Sequence, residues 1–211
     1  MASEATYGKE QLFAELAKFK LTRKPGTKYA YSNTGAELIG YVLETVYQKS
    51  IESLLQTYLL EKCGMDNTAI ALNERQQAQL IQGYWLDNDT PSPNFINNLW
   101  STGSGVKSTL GDLMKYIEFQ LSKDDPTLKL SHETLYDEGN GNHLAYLWNV
   151  STDRYGRYYD HHGGTGGMQN WIFVFPKYQL GISILTNHSG LATPKRLSKA
   201  ARMILKEVVL D

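Results

Sequence analysis

A run of glycines just before a strand-like segment limits the folds that this chain can adopt. Residues 160–168 read DHHGGTGGM, with four glycines in five positions, and the aromatic and β-branched residues 171–175 follow at once. Glycine weakens a strand, so such a run indicates that a ligand or another segment approaches the backbone closely. A histidine beside this run is a candidate charge or proton donor. The alternative interpretation is a tight hairpin with a surface histidine, although a simple turn needs only one or two glycines.

A second motif lies near the start of the chain. Residues 24–35 read KPGTKYAYSNTG, and an apolar face with helical spacing follows, which predicts a helix over residues 35–48. Tyr31 and Asn33 flank the start of this helix, where a phenol and a carboxamide can point into a cleft. Two other interpretations stay open: Asn33 is a helix cap, and Tyr31 is a core residue whose hydroxyl has a partner.

Five segments occur in a fixed order along the chain: PGTKYAYSN at residues 25–33, GMDNT at residues 64–68, GSGVKSTLGDL at residues 103–113, HGG at residues 162–164 and LTN at residues 185–187. Together they resemble the serine β-lactamase and penicillin-binding protein superfamily, specifically its class C β-lactamase-related branch. The resemblance implies an α+β fold with an antiparallel sheet, a C-terminal helix packed on it and a helical lobe. It also implies hydrolysis of amide or ester bonds through an acyl-enzyme, at the junction of sheet and lobe.

The resemblance assigns roles to four candidate catalytic residues. The Tyr31 phenol would relay protons, Asn33 would hold a substrate carbonyl, and His162 would stand where relatives have a lysine. The backbone N–H of Thr165 would form half of an oxyanion hole. His161 could take the role of His162, and the sequence does not separate the two. The candidate substrate-binding residues are Gly163, Gly164, His161 and Trp100.

The nucleophile of this superfamily is not found before Tyr31. It is a serine in a Ser-x-x-Lys motif, and the single such motif in the sequence begins at Ser104 and ends at Lys107. Glycines on both sides of Ser104 argue against the helical turn that the motif needs, and Thr109 predicts a helix that begins only after Lys107. We therefore expect a chain that is N-terminally shortened relative to the family and inactive alone.

Two classes of function follow from this expectation. The chain is either part of a serine hydrolase, with a small-molecule or peptide substrate of the parent enzyme, or a non-catalytic relative that binds peptidoglycan-type peptides or a protein partner. An N-terminally shortened sheet should also have an exposed edge. We expect this edge to form a homo-oligomer or to pair with the missing N-terminal fragment.

The composition argues against several other classes of protein. The net charge is −1, which gives no reason to expect nucleic acid as a partner, and no apolar run is long enough to span a bilayer. Cys63 is the only cysteine, so no internal disulfide forms. No metal-binding or cofactor-binding motif is recognisable, and we expect none. No signal peptide opens the sequence, and the compartment is left open because family members are often exported.

The sequence pattern predicts one domain over residues 1–211, mainly helical over about 9–142, with strands and a C-terminal helix over about 143–211. Predicted helices are residues 9–20, 35–48, 51–61 and 110–121, a short turn at 131–136 and a helix from Pro194. Predicted strands are residues 143–152, 157–162, 171–175 and 180–186. Residues 83–100 are predicted as a loop whose aromatics either line a cleft or fix the loop to the core: Tyr84, Trp85, Phe95 and Trp100.

Overall fold

The structure, a computed structural model, describes residues 7–86, 89–93, 99–122, 125–139 and 141–209. Phe95 and the first six residues lie outside the described residues, so the prediction for Phe95 is not addressed. The helices are α1 (Lys9–Leu16), α2 (Asn33–Tyr47), α3 (Ile51–Leu55), α4 (Glu61–Cys63), α5 (Glu74–Ala78), α6 (Leu110–Gln120), α7 (Pro126–Ser131) and α8 (Thr193–Val209). A π-helical stretch, Gln56–Leu60, joins α3 to α4 and makes one continuous helix of these three pieces.

The strands form two sheets. They are β1 (Gly83–Trp85), β2 (Pro91–Ser92), β3 (Tyr136–Asp137), β4 (Asn142–Leu144), β5 (Asn149–Asp153), β6 (Gly156–Thr165), β7 (Met168–Phe175), β8 (Leu180–Thr186) and β9 (His188–Ser189). The larger sheet has the order β3-β4-β5-β6-β7-β8, and every neighbouring pair is antiparallel. Its strands follow chain order because short connections join antiparallel neighbours.

A hydrophobic core lies on each face of the larger sheet. On one face, Ile117 of α6 packs with Trp148, Tyr159 and Val174. On the other, Leu205 of α8 packs with residues that include Phe173, Phe175 and Ile182. Alternation along each strand sends successive side chains to opposite faces, which divides the apolar residues of one strand between the two cores. This arrangement confirms the predicted α+β fold with a C-terminal helix packed on an antiparallel sheet.

Residues 83–92 contain strand structure where the sequence predicted only loop. β1 pairs antiparallel with β2 and parallel with β9, and this small sheet meets the tip of the β6–β7 hairpin. The Tyr84 N–H donates to the carbonyl oxygens of Asn187, at 2.8 Å, and Gly167, at 3.3 Å. Strands of two or three residues are too short to give an alternating pattern, which explains why the loop prediction was wrong here.

Several predicted boundaries were also wrong. The predicted strand over 143–152 is two strands, β4 and β5, separated by a turn in which Leu147 has a φ of 60°. The predicted turn at 131–136 is replaced by α7, which starts earlier because the Asp125 carboxylate accepts the N–H groups of Thr127 and Leu128. Pro126 is therefore the first residue of this helix, a position that proline favours. α1 ends at Leu16 and not at residue 20.

Within the described residues, no helix has both the length and the apolar composition to cross a bilayer.

Candidate active site

Tyr31 and His161 are brought together from distant parts of the sequence. Tyr31 lies two residues before α2, and its side chain is 64% exposed. Its ring centroid is 6.3 Å from that of His161 on β6, with the rings tilted by 49°. The phenol and the imidazole therefore border the same open space beside the sheet.

His162 points to the other face of β6. Its Nε2 lies 3.1 Å from Oε1 of Gln169, which accepts the hydrogen bond, and its ring centroid is 5.0 Å from that of Trp171. Adjacent residues of a strand send their side chains to opposite faces, so only one of two neighbouring histidines can face Tyr31. Of the two histidines that the sequence left open for this role, His161 is therefore the one that faces Tyr31.

His161 is held in its neutral form more strongly than a free histidine. Burial lowers the pKa of its imidazole, and the nearby Asp160 carboxylate opposes this effect. Burial in turn raises the pKa of Asp160, whose Oδ2 accepts hydrogen bonds from Nε1 of Trp171 at 3.0 Å and Nδ2 of Asn149 at 3.3 Å. At neutral pH His161 is a hydrogen-bonding group and not a fixed positive charge.

The register of the β6–β7 hairpin fixes the direction of each peptide group. Thr165 pairs with Met168 across a two-residue connection. The N–H of each of these two residues therefore donates a hydrogen bond to the C=O of the other. Hydrogen-bonded pairs then recur at Gly163–Asn170 and His161–Ile172. The N–H of Thr165 thus faces β7 and is not available as an oxyanion donor, while the N–H of the exposed Gly164 faces the opposite side. The N–H of Gly164, and not the N–H of Thr165 that the resemblance suggested, is therefore directed away from β7.

This opposite side of β6 is open next to His161. β5 pairs with β6 only as far as Asp160, and no strand among the described residues covers positions 161–165 on that side. Gly163 fits closely against its cross-strand neighbour, since a β-carbon there would lie 2.6 Å from Nδ2 of Asn170. The result is a free strand edge whose backbone can pair with an extended ligand.

The last two glycines of the run, Gly166 and Gly167, are required for a different reason. A β-carbon at Gly167 would lie 2.6 Å from Cβ of Ser92 and 2.7 Å from the carbonyl carbon of Gly83, and Gly167 has a φ of 73°. A β-carbon at Gly166 would lie 2.8 Å from Oγ of Ser92. Here the segment that approaches the backbone is the small sheet, so half of the glycine run serves packing within the chain.

Asn33 and Trp100 meet around Gly103. A β-carbon at Gly103 would lie 3.0 Å from the carbonyl oxygen of Asn33 and 3.2 Å from Cε3 of Trp100. Asn33 is the first residue of α2 and is not its cap, because the Ser32 side chain accepts the Gly35 N–H instead. This leaves the exposed Asn33 carboxamide free of a capping role.

Glu37 is a structural residue that the sequence analysis missed. It is 1% exposed, and its carboxylate accepts hydrogen bonds from the N–H and hydroxyl of Ser101, the hydroxyl of Thr102 and the N–H of Gly103, at 2.6–3.1 Å. It thereby joins α2, which begins at Asn33, to the segment that contains Trp100. A run of serine, threonine and glycine offering several donors was the only sequence signal for such a partner.

The Ser-x-x-Lys sequence at 104–107 does not form a nucleophile. Ser104 lies in a turn, and Lys107 is in a β-bridge with Ala69 instead of a helix. The Lys107 amine donates to the carbonyl of Ile70 at 2.9 Å, and burial lowers its pKa. The predicted helix after it begins at Leu110, with the Thr109 side chain accepting the N–H of Asp112.

The described aromatic residues of the 83–100 segment, Tyr84, Trp85 and Trp100, do not form one group. Tyr84 stacks on His188, with ring centroids 5.3 Å apart, and Trp85 lies against the hairpin tip near Gly166. Both contacts fix the small sheet to the rest of the fold, whereas Trp100 lies beside Asn33.

In the part of the chain that the structure describes, no three His, Cys, Asp or Glu side chains are grouped to hold a metal ion.

The chain is similar to known proteins in sequence. The sequence model of the Beta-lactamase family matches residues 1–205. Protein flp of Staphylococcus aureus (strain MRSA252) is 30% identical over 186 residues, which are 83% of this chain and 36% of that protein. The chain therefore spans about a third of the length of this curated relative.

Solved structures show the same fold. The β-lactamase/D-alanine carboxypeptidase from Pseudomonas syringae superposes with a TM-score of 0.83 at 19% identity, over 96% of this chain and 66% of that one. The octameric penicillin-binding protein homologue from Pyrococcus abyssi gives a TM-score of 0.77 at 22% identity, over 93% and 47%.

Proposed function

The chain belongs to the beta-lactamase family of serine hydrolases, and from this premise we propose that it forms part of an acyl-transfer site for amide or ester substrates. The observation that supports the proposal most is the position of Tyr31 beside His161 at the free edge of β6. An extended substrate lying along this edge would present its scissile bond to the phenol.

Each residue at this edge has a distinct role in the proposal. The Tyr31 phenol moves protons between nucleophile and leaving group, and the neutral His161 hydrogen-bonds to the substrate. The Gly164 N–H supplies one oxyanion donor, since it faces away from β7. Asn33, close to Trp100, holds a substrate carbonyl near the start of α2.

The nucleophile in this proposal comes from a Ser-x-x-Lys motif outside these 211 residues. The one such sequence in the chain is neither helical nor free, because the Lys107 amine donates to the carbonyl of Ile70. Removing the serine nucleophile from a serine hydrolase costs on the order of a millionfold in turnover. We therefore propose that this chain alone is inert towards β-lactams, esters and D-peptides.

A second candidate is a non-catalytic binding protein. It is supported by the free edge of β6, which can bind an extended peptide through its backbone without any nucleophile. In that case the partner would be a peptide of the peptidoglycan type or a protein strand. The two candidates differ in how well the isolated chain binds.

The experiment is an amide NMR titration of the isolated chain with N-acetyl-D-Ala-D-Ala. The serine hydrolase proposal predicts weak binding with shifts at Gly164 and His161, lost in His161→Ala and kept in the matched control His162→Ala. Saturable binding at low micromolar peptide would favour the binding protein. Chemical-shift changes confined to other surfaces, or an equal loss of binding in both variants, would contradict the proposed site.

A further inference from the structure

Helix α8 has a charge that differs from that of the rest of the chain. Between Thr193 and Val209 it holds five lysine and arginine residues and one acid, Glu207, so its net charge is +4. The whole chain has a net charge of −1, and the residues outside α8 are therefore acidic on balance. One of the five cations, Arg202, is paired with Asp153 of β5. A positive element on an otherwise negative protein orients the molecule in the field of an anionic partner.

Three of the lysines form a line along α8. Lys195, Lys199 and Lys206 are exposed, and at about 100° per residue they lie within about 40° of one another around the helix. Within the described residues, none of the three forms an ion pair. Because they point away from the sheet, a further strand beside β8 would leave them exposed. The row of α8 that packs on the sheet is Thr193, Leu197, Ala201 and Leu205.

Two further cations lie on the same face of the sheet. The Arg154 guanidinium lies over the ring of Tyr155, 4.7 Å from its centroid, and the Lys177 amine lies over the ring of Tyr178 at 4.9 Å. Both tyrosines pack in the hydrophobic core beneath α8, while both cations are exposed. The positive surface therefore extends from the helix onto the turns beside it.

Apolar side chains stand among these cations. Met203 is 60% exposed and lies about 40° around the helix from Lys199, so it borders the line of lysines. Leu191, two residues before α8 begins, is fully exposed. A soluble polyanion could pair with the lysines but would leave these two apolar side chains in water. A lipid surface offers anionic headgroups and an apolar interior next to each other.

We propose that α8 docks the protein on an anionic lipid bilayer. The lysines pair with headgroup phosphates, and Met203 and Leu191 enter the boundary between headgroups and acyl chains. The line of lysines is about 17 Å long, which a surface of many anions matches and a single small anion does not. Docking leaves the candidate site open, because His161 shares the α6 face of the sheet with Tyr159, two residues earlier on β6.

The test is co-sedimentation of the purified 211-residue chain with lipid vesicles. We expect binding to phosphatidylcholine vesicles that contain about one third phosphatidylglycerol, and no binding to phosphatidylcholine alone. Salt at about 0.5 M should release the protein, because it screens charges beyond a few ångströms. Absence of binding to the anionic vesicles at low salt would contradict the proposal. So would equal binding to both kinds of vesicle.

Two triple variants show whether α8 is the surface that binds. A protein with all three lysines of the line changed to glutamine should bind the anionic vesicles about a hundredfold more weakly. The matched control makes the same total change of charge at three exposed lysines elsewhere and should keep its affinity. Equal losses in the two proteins would rule out α8 as the docking surface. The control substitutions are Lys20→Gln, Lys49→Gln and Lys129→Gln.

Met203→Ser tests the contact with lipid. It should weaken binding to the anionic vesicles by about fivefold and leave binding to soluble polyphosphate unchanged, because only the bilayer covers this side chain. If polyphosphate bound as tightly as the vesicles and Met203→Ser changed neither affinity, the occupant would be a polyanion and the bilayer proposal would be wrong.

Discussion

The phenol ring of Tyr31 lies 6.3 Å from the imidazole of His161, measured between ring centroids, although 129 positions separate them in the sequence. The neighbouring His162 lies on the other face of β6, against Gln169 and Trp171. The candidate site therefore uses the first histidine of the pair. Its neutral state at physiological pH determines what it can do to a substrate.

His161 should titrate below 6.5, the ordinary value for histidine, because burial lowers its pKa. Asp160→Asn should lower the midpoint further, since the Asp160 carboxylate is the group that opposes this effect, while an amide oxygen can still accept the Trp171 N–H. Imidazole NMR titration measures both midpoints. A midpoint above 6.5 in the unmodified chain, or a rise in Asp160→Asn, would show that the Asp160–His161 relationship is wrong.

His132 should make folding stability fall as the pH falls. Burial and the nearby Arg157 lower its pKa in the folded chain, and its ring stacks on Tyr159 at 4.1 Å. Below pH 6.5 the unfolded chain therefore binds a proton that the folded chain takes up only at lower pH. Urea unfolding between pH 7.5 and 5 should show a smaller loss of stability in His132→Gln than in the unmodified chain. If the free energy of unfolding fell equally with pH in both proteins, His132 would not be the buried neutral group described above.

Glu37→Ala should destabilise the fold by about 3 kcal/mol, because it leaves the half-buried donors of Ser101, Thr102 and Gly103 without their acceptor. Chemical denaturation measures the loss. The matched control is Glu207→Ala on the exposed side of α8, which should change the free energy of unfolding by less than about 0.5 kcal/mol. A Glu37→Ala loss as small as the control would mean that the carboxylate does not hold the Trp100 segment to α2.

Gly167→Ala should cost about 3 kcal/mol, since a β-carbon there overlaps both Ser92 and the backbone of Gly83 and the φ is positive. Gly26→Ala is the control for backbone strain alone. Gly26 has a φ of 81° with no heavy atom within 4 Å of the β-carbon position, so the expected cost is about 1 kcal/mol. Thermal unfolding compares the two. Equal costs would show that the small sheet does not pack against the hairpin tip as described.

The sequence predicted the long, strongly patterned elements and missed the features that depend on tertiary contacts. Strand β8 and the helix containing Ile117 were recognisable because their apolar residues repeat with a clear period. The three-residue β1 was not, because it is defined by its pairing with β2 and β9. The resemblance to the superfamily identified Tyr31 and Asn33 from their motif.

The choice between His161 and His162 required the register of β6, since adjacent strand residues differ only in the face that they occupy. The same holds for the oxyanion donor. The resemblance suggested Thr165, and only the hairpin pairing with Met168 shows that the N–H of Thr165 faces β7 while that of Gly164 faces away. Glu37 gave no periodic signal of its buried contacts, because its acceptor role depends on a loop 64 residues away.

The most direct test of the account is turnover of nitrocefin and p-nitrophenyl acetate by the purified chain, followed by intact-mass analysis. Because the described residues contain no helical Ser-x-x-Lys beside Tyr31, we expect background hydrolysis, no burst phase and no covalent adduct. A burst with stoichiometric acylation would contradict it. The adduct would then identify the nucleophile, and its loss in Ser104→Ala would assign that role to the serine that the structure places in a turn.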